Sequence, residues 1–315
     1  MQGRRPTMED AHFVLNGAKI GDVLGVLDGC GGANASNFCS VAMQRALVAV
    51  GPTRDASEVL ADTFAVVEDA LQAEAASKKW VDATTATVAV VGARSLAVAW
   101  VGDSRCVLGR VAKGGAVAAT AVTKDHSPED PDEKARIKAL GGGCGRNEKE
   151  AFATPKQTLR ASMVGAHVVF NVNRKSAFRV FPGGIAITRA LGARPLKQRN
   201  PPLVVATPQV AETALDGSEA FLIVACDGVW DCFTDQQACD FVQQQLSRGN
   251  PAENVAEKLA KQAHAKGSTD NISAVVLQFK KPSAASPSHT PLFDGPRVDR
   301  YADAGLDGIP ETKVD

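Results

Sequence analysis

An α+β fold with antiparallel sheets is predicted by three features of the 315-residue sequence. Apolar, β-rich runs are interspersed with amphipathic stretches of helical period. Two long helical stretches follow each other directly, and several strand-like runs then come in a row. A parallel sheet would instead interleave single strands with single helices. The hydrophobic fraction of 44% is enough for a sizeable core.

Taken in order, strand-like runs cover residues 23–27, 85–91, 96–101, 106–110, 116–122, 203–205, 220–225 and 272–279. Helical periodicity covers residues 33–50, 57–77, 131–140, 235–246 and 251–265. Asp55 or Ser57 opens the second helix, Thr234 opens the fourth, and Pro251 lies in the first turn of the last. Side-chain oxygens at a helix start accept backbone N–H groups that have no partner within the helix, and proline has no N–H there to lose. Residues 141–184 open "GGGCGRNEKEAF", carry the β-like pieces "AHVVFNV" and "AFRVF", and end "PGG". They are expected to form a long surface excursion with one hairpin. Residues 281–315 are rich in Pro, Ser, Ala, Gly and Asp without a sustained period, and an unstructured tail is expected there.

Lys plus Arg and Asp plus Glu both number 35, so no net charge favours nucleic acid or an acidic membrane surface as partner. No apolar run has the length to span a bilayer, and "MQGRRPTMED" lacks the apolar core of a signal peptide. The seven cysteines (30, 39, 106, 144, 226, 232 and 239) form an odd set without a C-x-x-C pair. That argues against a disulfide framework or a structural zinc site and for buried thiols in a reducing, intracellular compartment. Cytoplasm and nucleus are not distinguished, since "KK" at 280–281 is too short for a localisation signal.

The acidic residues carry the functional signal. Most sit on helix faces and read as solvated surface. Glu9 and Asp10 instead precede the apolar "AHFVL", Asp28 ends "GVLD", and Asp103 ends the run in "VAWVGDSR". Asp227 and Asp231 bracket "GVW" after "FLIVACD", and Asp270 precedes "AVVLQF". A carboxylate at the end of a buried strand needs a counter-charge, and few fixed cations stand beside these. Hard divalent ions held by oxygen ligands, Mg²⁺ or Mn²⁺ rather than zinc, would supply it. Aspartates that merely cap turns are the alternative. Within "VLDGCGG", Cys30 is open to reading as a nucleophile, a redox centre, a soft metal ligand or a filler.

Eight blocks appear in order: "RRPTMEDAH", "VLDGCGG", "ATTATVAVV", "WVGDSR", "VTKDHSP", "GGIAITRALG", "ACDGVWD" and "STDNIS". Together, over residues 2–279, they resemble the metal-dependent type 2C protein serine/threonine phosphatases. The resemblance implies a four-layer α-β-β-α sandwich, two antiparallel sheets flanked by helices, with a metal cluster at one end. Residues 1–280 would form that catalytic domain, with residues 141–184 in the place of the family's flap. The implied substrates are phosphoproteins and the implied state is a monomer.

The resemblance also assigns residues. Asp28 would bridge two Mg²⁺ or Mn²⁺ ions, the Gly29 carbonyl would bind one of them, and Glu9 would reach that ion through water. Asp227 and Asp270 would complete the other shell. Asp103, with Asp227 and Asp231, would hold a weaker third ion. Arg5, favoured over Arg4 by its spacing from Glu9, would bind the phosphate. Two ions roughly 4 Å apart lower the pKa of a bridging water and hold phosphate for in-line attack.

The sequence departs from that family in places. Cys30 stands where the family has the His thought to protonate the leaving oxygen. A displaced general acid costs on the order of 10²–10⁴ in rate. Cations nearby are expected to lower the thiol pKa, leaving a weakened acid and a redox-sensitive group. Ala193 replaces the Asp usual after "RALG", and Ala83 the Gly usual in "ATTA". Two readings follow: a phosphatase of reduced turnover, favoured by the full ligand set, or a pseudophosphatase that keeps metals and fold as a binding module, favoured by Cys30 and Ala193.

Overall fold

The computed structural model describes residues 1–51, 54–152, 178–198 and 200–279. The chain opens with β1 (Ala11–Ala18), β2 (Gly21–Leu27) and β3 (Gly29–Cys30), followed by helices α1 (Asn34–Ala49) and α2 (Ala56–Lys78). A run of strands comes next: β4 (Ala83–Thr84), β5 (Ala86–Val91), β6 (Ser95–Val101), β7 (Arg105–Val111) and β8 (Val117–Ala121). Then come α3 (Pro131–Ala139), β9 (Gly143–Gly145), α4 (Glu148–Ala151), β10 (Arg179–Phe181), β11 (Leu191–Gly192) and α5 (Arg194–Lys197). The last elements are β12 (Gln209–Ala214), β13 (Glu219–Ala225), α6 (Asp227–Trp230), α7 (Asp235–Ser247), α8 (Ala252–Ala265) and β14 (Ala274–Gln278).

Two antiparallel sheets form the frame, in the orders β1-β2-β5-β6-β12 and β14-β13-β7-β8. The period-2 alternation of strand side chains builds the layers. From β2, Val23 and Leu27 face α1 and α2, packing with Met43, Leu47, Leu60 and Phe64. The intervening Leu24 and Val26 face the other sheet. In β13, Leu222 and Val224 meet them across the sandwich, while Phe221 and Ile223 pack under α7 and α8 against Val242, Val255 and Leu259. The result is the four-layer α-β-β-α sandwich.

The helix starts follow their expected chemistry. Asp55 accepts from the N–H groups of Ser57 and Glu58, and Thr234 forms a capping box with Gln237. Pro251 is the N-cap of α8 rather than part of its first turn.

Three strand expectations need correction. Residues 203–205 form no strand, only an isolated bridge from Val205 to Arg189; the preceding Pro201 and Pro202 have no N–H to offer a ladder. β1 and β12 were not anticipated as strands. Both are edge strands of the first sheet with mostly exposed or half-buried residues, so neither carries a clean apolar alternation.

The base of the 141–184 excursion is not surface. β9 pairs with β10, the strand within "AFRVF", and Cys144 and Val180 join a buried cluster with Ile137, Ile185 and Ile187. "AHVVFNV" and the tail at 281–315 lie outside the described residues. All seven cysteines are free, and among the described residues no helix is long and apolar enough to cross a membrane.

Candidate functional site

The acidic residues picked out in the sequence sit at one end of both sheets, and strand register puts them there. Val26 of β2 lies opposite Thr87, and Ala86 lies opposite Val101, so β2 and β6 end level with each other on either side of β5 and deliver Asp28 and Asp103. In the second sheet Ala225 lies opposite both Ala274 and Arg105, which places Asp227 and the Asp270 loop at the same end.

Hydroxyl groups of "ATTATVAVV" brace the two strand ends. Thr85 Oγ1 accepts from the Asp28 N–H at 2.9 Å and lies 2.7 Å from Ser104 Oγ. Thr87 Oγ1 donates to the Ser104 carbonyl at 2.8 Å. The N-terminal segment is drawn in by Asn271. Its Nδ2 donates to the carbonyls of Gln2 and Thr7, and its Oδ1 accepts from the Glu9 N–H. Glu9 Oε2 accepts from the Gly32 N–H at 3.2 Å. Backbone packing at Gly29 is so close that a Cβ there would stand 2.2 Å from the Glu9 carbonyl oxygen, which is why no side chain fits.

This crowding of carboxylates has an electrostatic signature. Burial, and then Asp10, Asp227, Asp103 and Asp270, push the Asp28 carboxyl well above its ordinary value. Burial, Asp227 and Asp125 do the same to Asp103, with Asp231 adding to the effect. Asp10 is 7% exposed and is pushed up mainly by burial. Neither of its carboxylate oxygens accepts a well-formed hydrogen bond, although Ser273 and the Cys226 thiol lie alongside. Potential ligand atoms of Asp10, Asp28 and Cys226 lie within 4.8 Å of one another. Asp231, by contrast, is exposed at the rim.

The profile of the family described as Protein phosphatase 2C matches residues 1–272. The chain belongs to the protein phosphatase 2C family. It is 33% identical over 299 residues to Probable protein phosphatase 2C 69 of Arabidopsis thaliana, covering 91% of this chain and 70% of that one. It is also 33% identical over 283 residues to Probable protein phosphatase 2C 59 of Oryza sativa subsp. japonica, covering 88% and 73%. Among solved structures it superposes on the serine-threonine phosphatase 2C of Toxoplasma gondii with a TM-score of 0.69 at 23% identity, covering 88% of this chain and 92% of that one. The likeness is one of fold.

Within this protein phosphatase 2C fold the remaining candidates fall as follows. Arg5 faces the cluster, its Nη2 donating to Asp270 Oδ2 at 2.7 Å, and its side chain is 44% exposed. Cys30 pairs with Ala83 between β3 and β4 and packs partly against the cluster of Ile137, Val180 and Ile185. Burial, Asp103 and Glu9 push its thiol up to about 12, so the chain's own groups oppose the lowered pKa expected from the sequence. Ala193 adopts a left-handed conformation, φ 51°, fully buried, with its N–H donating to the Asp82 carbonyl. The Asp82 side chain accepts from the Ala35 N–H at the start of α1. Sequence reasoning named Asp10 among the acids but gave it no role, and it missed Asn271. Their signal was adjacency to Glu9 and Asp270, which is weak until the fold shows which neighbours are buried.

Proposed function

We propose that this protein phosphatase 2C chain hydrolyses phosphoserine and phosphothreonine in proteins with Mg²⁺ or Mn²⁺, two ions at the centre and a third held more weakly. One observation carries the reading. Asp28 is set among Asp10, Asp103, Asp227 and Asp270, and burial together with this crowding drives its carboxyl well up. Divalent cations relieve such repulsion, and the ligands on hand are hard oxygens suited to Mg²⁺ or Mn²⁺. The buried Asp10 carboxylate without well-formed hydrogen bonds supports the fit.

In this reading Asp28, the Gly29 carbonyl, Glu9, Asp227 and Asp270 would hold the two central ions, and Asp103, Asp227 and the rim residue Asp231 would hold the third. When bound, the ions activate water for attack and offset charge on the transferring phosphoryl group. Arg5 is held at the rim by Asp270, and its planar fork has five N–H donors, more than that contact uses, so it can also orient phosphate oxygens. Cys30 occupies the place from which the departing Ser or Thr oxygen would be protonated. A thiol is a weak donor there, so turnover of alkyl phosphates is slow. The same residue is what favours the second reading, a metal-binding module without catalysis.

The experiment compares the wild type, Cys30→His and Asp28→Asn on a phosphopeptide and on an aryl phosphate, with Mn²⁺. An aryl leaving group needs little protonation, so wild-type aryl turnover is expected to persist while peptide turnover is low. Cys30→His is expected to raise peptide turnover, and Asp28→Asn to remove both activities. If neither wild type nor Cys30→His hydrolyses either substrate, the enzyme reading falls and the binding module stands.

A further inference from the structure

The block "VTKDHSP" supplies none of the proposed metal ligands, yet its Asp125–His126 pair grips the Asp103 turn from both sides. On one side Arg105, two residues after Asp103, donates from Nε and Nη2 to the Asp125 carboxylate at 3.0 and 2.8 Å. On the other side His126 clasps Gly102, the residue before Asp103. The Gly102 N–H donates to His126 Nδ1 at 3.2 Å, and the His126 N–H donates to the Gly102 carbonyl at 2.9 Å. Gly102 has φ +93°, and a Cβ there would stand 2.5 Å from Thr85 Cγ2, so this turn has a single narrow backbone solution.

The imidazole is held over its face and at Nδ1, whereas Nε2 makes no well-formed hydrogen bond. It is 2% exposed and stacks on Trp100 with centroids 5.9 Å apart and planes 15° from parallel. The indole N–H of Trp100 donates to the Lys124 carbonyl, and the Thr188 N–H of "GGIAITRALG" donates to the His126 carbonyl. Since Nδ1 accepts a backbone N–H, the proton of the neutral ring is on Nε2.

We propose that His126 is a positioning residue for the metal centre: its Nδ1 lone pair fixes the Gly102–Asp103 turn and so sets how Asp103 presents its carboxylate to the third cation. This rests on Asp103 being a metal ligand. Burial and Arg189 keep the ring neutral, as the acceptor role demands. Partners that orient a ligand from behind are typically worth about 10–100-fold in metal affinity.

The test compares His126→Asn and His126→Gln, because the amide oxygen of Asn takes the place of Nδ1 whereas that of Gln reaches further out, toward Nε2. Both lose the ring and its stacking on Trp100, so a purely structural role would affect them alike. Mn²⁺ binding to each folded variant is measured by electron paramagnetic resonance and calorimetry, beside the Mn²⁺ dependence of aryl phosphate turnover. Asp103→Asn serves as reference. In His126→Gln the weakest Mn²⁺ step is expected to weaken about tenfold, with KM for the aryl phosphate unchanged, while His126→Asn stays close to wild type. Equal loss in the two variants overturns the inference, as does unchanged Mn²⁺ binding in His126→Gln. If Asp103→Asn leaves Mn²⁺ binding unchanged, Asp103 is no ligand and the inference falls with that reading. Absence of turnover in every protein would refute the proposed function alone, since the binding measurement still decides the role of His126.

Discussion

Acid should destabilise this protein through one histidine, and the size of the effect follows from its surroundings. Burial and the charge of Arg189 outweigh the pull of Glu133 and Asp125 and lower His126 to about 4, from an ordinary value of 6.5. Because the folded value lies below the unfolded one, the unfolded chain takes up the proton first. The contribution is complete above the unfolded pKa and is lost as the pH falls toward the folded pKa. One pKa unit is worth about 1.4 kcal/mol, so roughly 2 kcal/mol is lost between about pH 7.5 and about pH 5, where only the unfolded state is protonated. Asp10, Asp28 and Asp103 are pushed up instead and work in the opposite direction. The total pH profile is therefore a poor test, and a difference is needed. His126→Asn keeps the acceptor for the Gly102 N–H and removes the titration. Urea unfolding of both proteins in a metal chelator, at about pH 7.5 and about pH 5, should show the wild type losing about 2 kcal/mol more than the variant. Parallel losses in the two proteins would refute the reasoning.

Three further outcomes are expected. Ala193 is held at φ 51°, a conformation that costs L-residues energy, so Ala193→Gly should raise stability by about 0.5–1 kcal/mol in denaturant titration; no gain would place the strain elsewhere. Mn²⁺ should raise the melting temperature more at about pH 8 than at about pH 6, because the elevated Asp28 and Asp103 must give up protons to bind a cation, and calorimetry in two buffers should register that release. With the metal chelated, peroxide should leave Cys30 unmodified by peptide mass mapping, because its thiol stands at about 12 and the reactive thiolate is scarce.

The parts of the fold legible in the sequence were those where one residue type does one job. The β2 pattern of Val23, Leu24, Val26 and Leu27 announces a strand buried on both faces, and both faces are covered. Thr234 announces a helix start because nothing else there competes for the free N–H groups, whereas Asp55 and Ser57 were both candidates and Asp55 supplies the cap. β1 and β12 were illegible because edge strands need no continuous apolar face. In the site, the strand-end aspartates stood out because a charge beside a buried run is costly without compensation. Asp10 stood out only beside Glu9, with no role of its own, and Asn271 and His126 did not stand out. Each acts through partners far away in sequence: His126 through Gly102, and Asn271 through Gln2, Thr7 and Glu9. Local pattern does not encode such pairings.

The departure at Cys30 is local in a way that bears on both functional readings. Cys30 lies on the border between two environments, with the carboxylates of Glu9 and Asp103 on one side and the apolar cluster of Ile137, Val180 and Ile185 on the other. Burial, the largest cause of the raised thiol, would push an imidazole at this position toward its neutral form, whereas the charges of Asp103 and Glu9 would favour its charged form. Bracing of the acidic cluster is present at Thr85, Ser104 and Asn271. In the proposed reading the side chain at position 30 is the one that would donate the proton, and that is why the Cys30→His comparison separates an attenuated enzyme from a binding module.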